Sequence, residues 1–140
     1  MEALDYRINA PLSTDQFITL LNTSTLGDRR PVEDVECMEG MLANSNLIIT
    51  AWADDVLVGV ARSVTDFHYA CYLSDIAVDA GCQEQGIGKR MLALTQAQLG
   101  PQCKLILIAA PKANHYYEAL GFTANERCWV LEPDQLIVGA

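Results

Sequence analysis

Leu73-Ser74-Asp75-Ile76-Ala77-Val78-Asp79, followed by Gln83-Glu84-Gln85-Gly86-Ile87-Gly88 and then Lys89-Arg90-Met91-Leu92, decides how the rest of the chain is read. The first piece has the composition of a strand, the second is a polar loop with two glycines, and the third opens an amphipathic helix. The first amides of a helix have no partner within it, and the positive end of its dipole lies there, so the junction suits an anion. Glycine lets the backbone approach such a ligand with no Cβ in the way. A ligand carrying a diphosphate is the first expectation.

Working outward, Leu4–Ile8 alternates as an opening strand, and Ser13-Thr14-Asp15-Gln16 is a capping box that starts a helix running through Leu21. After Gly27-Asp28-Arg29-Arg30, Pro31 stands at a first helical position, and Val32, Val35, Met38, Met41 and Leu42 recur at helical spacing, which predicts a second helix ending near Asn44-Ser45. Leu47–Trp52 and Val56–Arg62 flank Asp54-Asp55 as a hairpin, and Tyr69–Val78 continues it as a third antiparallel strand. The helix from Ile87 stops at Gly100-Pro101. Lys104–Ala110 is apolar almost throughout, as suits a central strand parallel to the one before the helix. A short helix over Ala113–Leu120 ends at Gly121, and Cys128–Leu131 is expected as a last strand. The fold class is therefore mixed α/β: a mostly antiparallel sheet with one parallel step at the glycine loop, flanked by about four helices.

Three phosphate loops compete for Gly86 and Gly88. The nucleoside triphosphate loop needs Lys followed by Ser or Thr, whereas Lys89 is followed by Arg90. The dinucleotide fingerprint needs a third glycine where Met91 stands, and it belongs in a first strand-to-helix turn, not after an antiparallel meander. What remains is Q-x-x-G-x-G from Gln83 to Gly88, which resembles the loop of the GNAT-type N-acetyltransferases. Ile76-Ala77-Val78 ahead of the loop and Tyr117-Glu118-Ala119-Leu120-Gly121-Phe122 after it resemble the same family in order and spacing. The opening order of strand, two helices and hairpin is also similar, so the resemblance runs over nearly all of residues 1–140, read as a single acetyltransferase domain.

The resemblance implies acetyl-CoA as acetyl donor and direct transfer to an amine, which needs a held donor, a neutral amine and a proton for the leaving thiolate. It implies that amides of Gln83, Glu84, Gln85, Gly86, Ile87, Gly88 and Lys89 cradle the CoA diphosphate. Backbone groups of Ile76, Ala77 and Val78 would bond the pantetheine arm as an added strand. Tyr117 would give the thiolate its proton, with Tyr116 as its core-facing neighbour, and the amide of Ile76 would meet the oxyanion. Asp75, polar in an apolar strand, is a candidate base or amine-orienting group, with a solvated carboxylate as the plainer reading and a water relay as its substitute. Two departures stand out: Glu84-Gln85 occupies positions where a glycine and a basic residue are common, and Ala110 stands where an asparagine often does, leaving Asn114 as the substitute.

At 140 residues with formal charge −9, the chain suits one domain and makes a poor partner for nucleic acid, whose binding rests on phosphate neutralisation. No basic-then-apolar start and no apolar run of spanning length is visible, so a cytoplasmic location without membrane contact is expected. Cys37, Cys71, Cys82, Cys103 and Cys128 are scattered singly, without the pairing of metal or redox sites; reduced thiols are expected and no metal. Asp28, Glu33, Asp34, Glu36 and Glu39 around the link between the first two helices suit a small cationic amine, whereas Arg29 and Arg30 suit a substrate carboxylate. Arg29, Arg30 and Tyr72 are the substrate candidates. A CoA-binding sensor without turnover and a protein lysine or N-terminal acetyltransferase are the alternatives, and a homodimer is one open oligomeric state.

Overall fold

The computed structural model describes residues 3–140, and two compact units divide the chain, one through Ile108 and one from Ala109. The first unit is a five-stranded sheet in the order β1 (Leu4–Ile8), β2 (Leu47–Ala53), β3 (Val56–Thr65), β4 (Ala70–Val78), β5 (Lys104–Ile106). The first three pairings are antiparallel and the last is parallel, as expected from the patterning.

Helix α1 (Thr14–Ser24) starts at the capping box: the Ser13 hydroxyl accepts from the Gln16 amide at 3.0 Å, and the Gln16 side chain accepts from the Ser13 amide at 3.0 Å. Its Phe17, Leu20 and Leu21 pack with Met38, Val60 and Ala77 in a dry cluster on one face of the sheet. Met38 belongs to α2 (Val35–Ala43), which begins four residues after Pro31. Pro31 opens a turn instead, closed by the Asp34 amide on the Pro31 carbonyl at 3.0 Å, and the Asp34 carboxylate then caps α2 through the Cys37 amide.

Helix α3 (Ile87–Ala97) covers the other face. Successive strand side chains alternate in direction, so Gly59 faces away from the Val60 cluster. A Cβ on Gly59 would stand 3.0 Å from Met91 Cε and 3.2 Å from Ala51 Cβ, so the missing side chain lets α3 lie close on β3. Gly59→Val is expected to cost about 1–3 kcal/mol as an overpacked core, read as a lowered denaturation midpoint with unchanged slope.

The regular alternation breaks once in β4. Ser63 pairs with Leu73 and Arg62 pairs with Asp75, which leaves Ser74 opposite no residue of β3. This β-bulge flips the strand: Leu73 shares a face with Ser63, and Asp75 shares the opposite face with Arg62. β5 pairs only as far as Tyr72↔Ile106, two residues before Ser74. The apolar run therefore forms a strand of three residues in place of the expected Lys104–Ala110.

In the second unit Pro111–Ala113 make a 3-10 turn leading into α4 (Asn114–Ala119). Gly121, with φ +100°, turns the chain so that the Phe122 amide reaches the Tyr117 carbonyl at 3.0 Å. No strand forms over the Cys128–Leu131 run expected to be one; β propensity expresses itself only beside a pairing partner, and these residues have no such partner in the sheet.

Candidate active site

Three pieces of the first unit converge around the C-terminal half of β4. The first is the strand itself. From Leu73 to Val78 it is held by β3 on one edge, while no strand of the described residues pairs with the other edge. The Ser74 and Val78 carbonyls accept from the Arg30 and Gln83 side chains; backbone groups of that edge left without a partner strand can bond an extended ligand as an added strand. Ile76 and Val78 are half-buried, and Ala77 is buried in the α1 cluster, so of these three residues Ala77 can offer a ligand only its backbone.

The second piece is the loop. The Asp79 carboxylate caps a 3-10 turn over Ala80–Cys82 by accepting from the Gly81 amide at 2.8 Å, and the Gln83 side-chain amide donates to the Val78 carbonyl at 3.2 Å. Glu84 (φ +64°) and Gly86 (φ +81°) then turn the chain left-handedly into α3. Gly86 is the N-cap, no side chain caps the helix, and nothing lies within 4 Å of where a Gly86 Cβ would stand. The first amides of α3, those of Ile87, Gly88 and Lys89, therefore have no side-chain cap, and helix starts of this kind can bind anions.

The third piece is a cavity of about 500 Å³ beside the link between α1 and α2, lined among others by Asn22, Asp28, Arg30, Glu33 and Asp34. Three of these are carboxylates against one arginine, so the charged lining is net acidic. Arg29 is exposed and does not line it, and Tyr72 is exposed in a row with Val64 and Ile106 across β3, β4 and β5.

Asp75 is neither solvated nor free. Its side chain is 0 % exposed. One carboxylate oxygen accepts from Arg30 Nε and the other from Arg62 Nε, each at 2.5 Å. To act as a base it would have to give up an ion pair in a dry site, so the expectation of a catalytic Asp75 is corrected to a buried counter-ion. Arg30 is corrected with it. Its Nη2 donates to the Ser74 carbonyl at 2.7 Å and its Nη1 to the Arg29 carbonyl at 2.8 Å, so it binds the protein's own carboxylate where a substrate carboxylate was expected. Arg62, which the sequence reading passed over, completes the network by donating to Ser74 Oγ and Ser45 Oγ, both at 2.9 Å. A signal for it existed: Arg62 and Asp75 are the charged residues of two neighbouring apolar strands.

In the second unit, Tyr117 lies edge-on to Tyr116 and Phe122, with ring centroids 5.2 and 5.5 Å away. Tyr117 is the half-buried member of the pair and Tyr116 the exposed one, the reverse of the expected packing. Burial, and secondarily Tyr116, push the Tyr117 phenol above its ordinary pKa, so it stays protonated through the neutral range. Asn114 is the first residue of α4 and is exposed.

Residues 23–138 match the family model of the acetyltransferase (GNAT) domain. The chain belongs to the GNAT acetyltransferase family. It is 26% identical over 126 residues to the uncharacterized N-acetyltransferase ycf52 of Gracilaria tenuistipitata var. liui, covering 84% of this chain and 69% of that protein. Its fold is similar to that of the SA2161 protein of meticillin-resistant Staphylococcus aureus, with TM-score 0.73, 20% identity, and coverage of 93% of this chain and 100% of that one. It is also similar to the aminoglycoside N-acetyltransferase AAC(6')-Iy in complex with CoA, with TM-score 0.71, 20% identity, and coverage of 96% and 97%. The GNAT chain is thus an acyltransferase of the N-acetyltransferase kind, and among its described residues no helix is long and apolar enough to cross a membrane.

Proposed function

We propose that this GNAT domain transfers the acetyl group of acetyl-CoA directly to the amine of a small cationic molecule. The observation that carries the reading is the continuous path from the open edge of β4 to the uncapped start of α3. A linear ligand with an amide-bearing arm and a diphosphate matches that path in chemistry and in order. The family match from residue 23 to 138 supports treating the chain as one acetyltransferase domain, and the CoA complex of a protein of similar fold supports the donor.

Bound there, acetyl-CoA supplies an acetyl group already activated as a thioester. The chain's own residues do the rest. Amides from Gln83 to Lys89 hold the diphosphate, and the exposed Lys89 side chain adds charge in place of the basic loop residue that Gln85 lacks. Backbone groups of Ile76 and Val78 align the arm, and the Ile76 amide stabilises the developing oxyanion. Tyr117, kept protonated, gives a proton to the departing sulfur, and Asn114 stands in for the asparagine that Ala110 replaces. With both Asp75 oxygens engaged by arginines, deprotonation of the amine falls to a water relay.

The acidic lining of the cavity supports a cationic acceptor over a carboxylate-bearing one. The test is thiol release from acetyl-CoA across a panel of polyamines, aminoglycosides, amino acids, peptides and intact basic proteins. The expected result is release with small polycations, weakening as salt rises. Release confined to intact proteins would move the acceptor to a macromolecule, and tight CoA binding with no release for any amine would make the domain a sensor.

A further inference from the structure

We propose that Arg30 is a positioning residue for acetyl transfer, acting through the β4 bulge. It rests on the reading of β4 and α3 as the donor site. Among the described residues, Arg30 makes the side-chain hydrogen bonds that tie the segment between α1 and α2 to β4. It grips two consecutive points of the bulge, the Ser74 carbonyl and the Asp75 carboxylate, while Arg62 holds the Ser74 hydroxyl and the other Asp75 oxygen from below. The bulge is where β4 changes face and loses β5, so its geometry sets the direction of the open edge over Ile76–Val78. A carbonyl held at 2.7 Å and a carboxylate at 2.5 Å by one rigid planar fork leave that edge little freedom.

The same side chain walls the acidic cavity. Arg30 therefore stands between the acceptor side and the donor strand, touching both. Arg62 differs in kind. It is buried and also bonded to the Met41 carbonyl of α2 and to Ser45 Oγ just beyond that helix, so its removal would threaten the fold, whereas Arg30 is 23% exposed and its loss leaves Asp75 still paired with Arg62.

The experiment uses Arg30→Ala and Arg30→Lys in the full chain. Amide hydrogen exchange is measured residue by residue, and kcat and KM for acetyl-CoA are measured with whichever amine the wild type accepts. For Arg30→Ala, exchange at those amides of Ser74–Val78 that are bonded to β3 should rise about tenfold or more while β2 amides stay protected. Its kcat should fall about tenfold or more, with KM for acetyl-CoA changed about twofold at most. Arg30→Lys, with one point charge and no fork, should fall between, and millimolar guanidinium should restore part of the Ala variant's kcat. Unchanged exchange at Ser74–Val78, or exchange rising equally in β2 with kcat of the folded fraction intact, would overturn the proposal. A wild type that turns over no amine would defeat the transferase reading instead, and the exchange measurement would still decide whether Arg30 holds the edge of β4.

Discussion

Asp75→Asn is expected to lower the stability of the protein by about 3–5 kcal/mol, the range found when one partner of a buried ion pair is removed. For a chain of this size that is a fall of roughly 10 °C or more in melting temperature. The magnitude follows from what the substitution leaves behind. Asparagine has nearly the shape of aspartate, so little packing is lost, but the Arg62 side chain is 7% exposed and would keep its charge with no counter-charge in contact. An amide can also accept through its oxygen alone, so one of the two Nε donors now engaged by Asp75 would lose its acceptor. Arg30→Ala should cost much less, because Asp75 keeps one guanidinium. A thermal melt of the two variants side by side checks the ordering: Asp75→Asn well below Arg30→Ala. Equal, small shifts would mean that the ion network contributes little to folding.

Tyr117→Phe is expected to lower kcat about 100-fold, within the range for loss of a positioned proton donor, while CoA binding stays near that of the wild type. The phenol sits edge-on between Tyr116 and Phe122, and phenylalanine keeps that packing, so the fold should be unaffected. Its pKa is raised by burial, which fixes the direction of the pH dependence. A proton donor must be protonated to act; with its pKa above the ordinary phenol value of about 10, the Tyr117 contribution should hold through neutral and mildly alkaline pH and fade only beyond that value. The kcat profile of the wild type should therefore show no loss between pH 7 and 9 attributable to this group. Unchanged kcat in the phenylalanine variant would remove Tyr117 from the reaction.

Where the signal was local, the sequence was legible. The α1 capping box, the hairpin of β2 and β3, and the glycine that opens α3 each depend on residues within a few positions of one another, and all three form as read. The start of α2 was misread because two local signals competed: Pro31 suits a first helical turn, but the Asp34 cap four residues before Met38 takes the helix start. The Cys128–Leu131 run and the second half of Lys104–Ala110 failed for a different reason. A strand exists only through its partner, and whether β4 offers one beyond Tyr72 depends on the bulge at Ser74, which is a property of two strands together.

The same bulge hid the role of Asp75. Period-two alternation from Cys71 and Leu73 puts Asp75 on the face of α3, whereas the extra residue turns it towards Arg30 and Arg62. The strand, loop and helix start were readable because their signals, a β-rich run and glycines ahead of an amphipathic stretch, lie within a few residues of one another. The acceptor side was not, since it depends on which of several carboxylates and arginines meet across long stretches of chain. Arg30 and Asp75, which looked like a substrate and a catalytic group from their positions in sequence, satisfy each other when folded, with Arg62 completing the network.

The open edge of β4 and the start of α3 are proposed to hold the acetyl donor together. A crystal structure of the protein with acetyl-CoA tests it most directly. The diphosphate is expected on the amides of Ile87, Gly88 and Lys89 and the pantetheine arm bonded along Ile76–Val78; acetyl-CoA bound elsewhere on the molecule, with that edge and helix start untouched, would rule this donor site out.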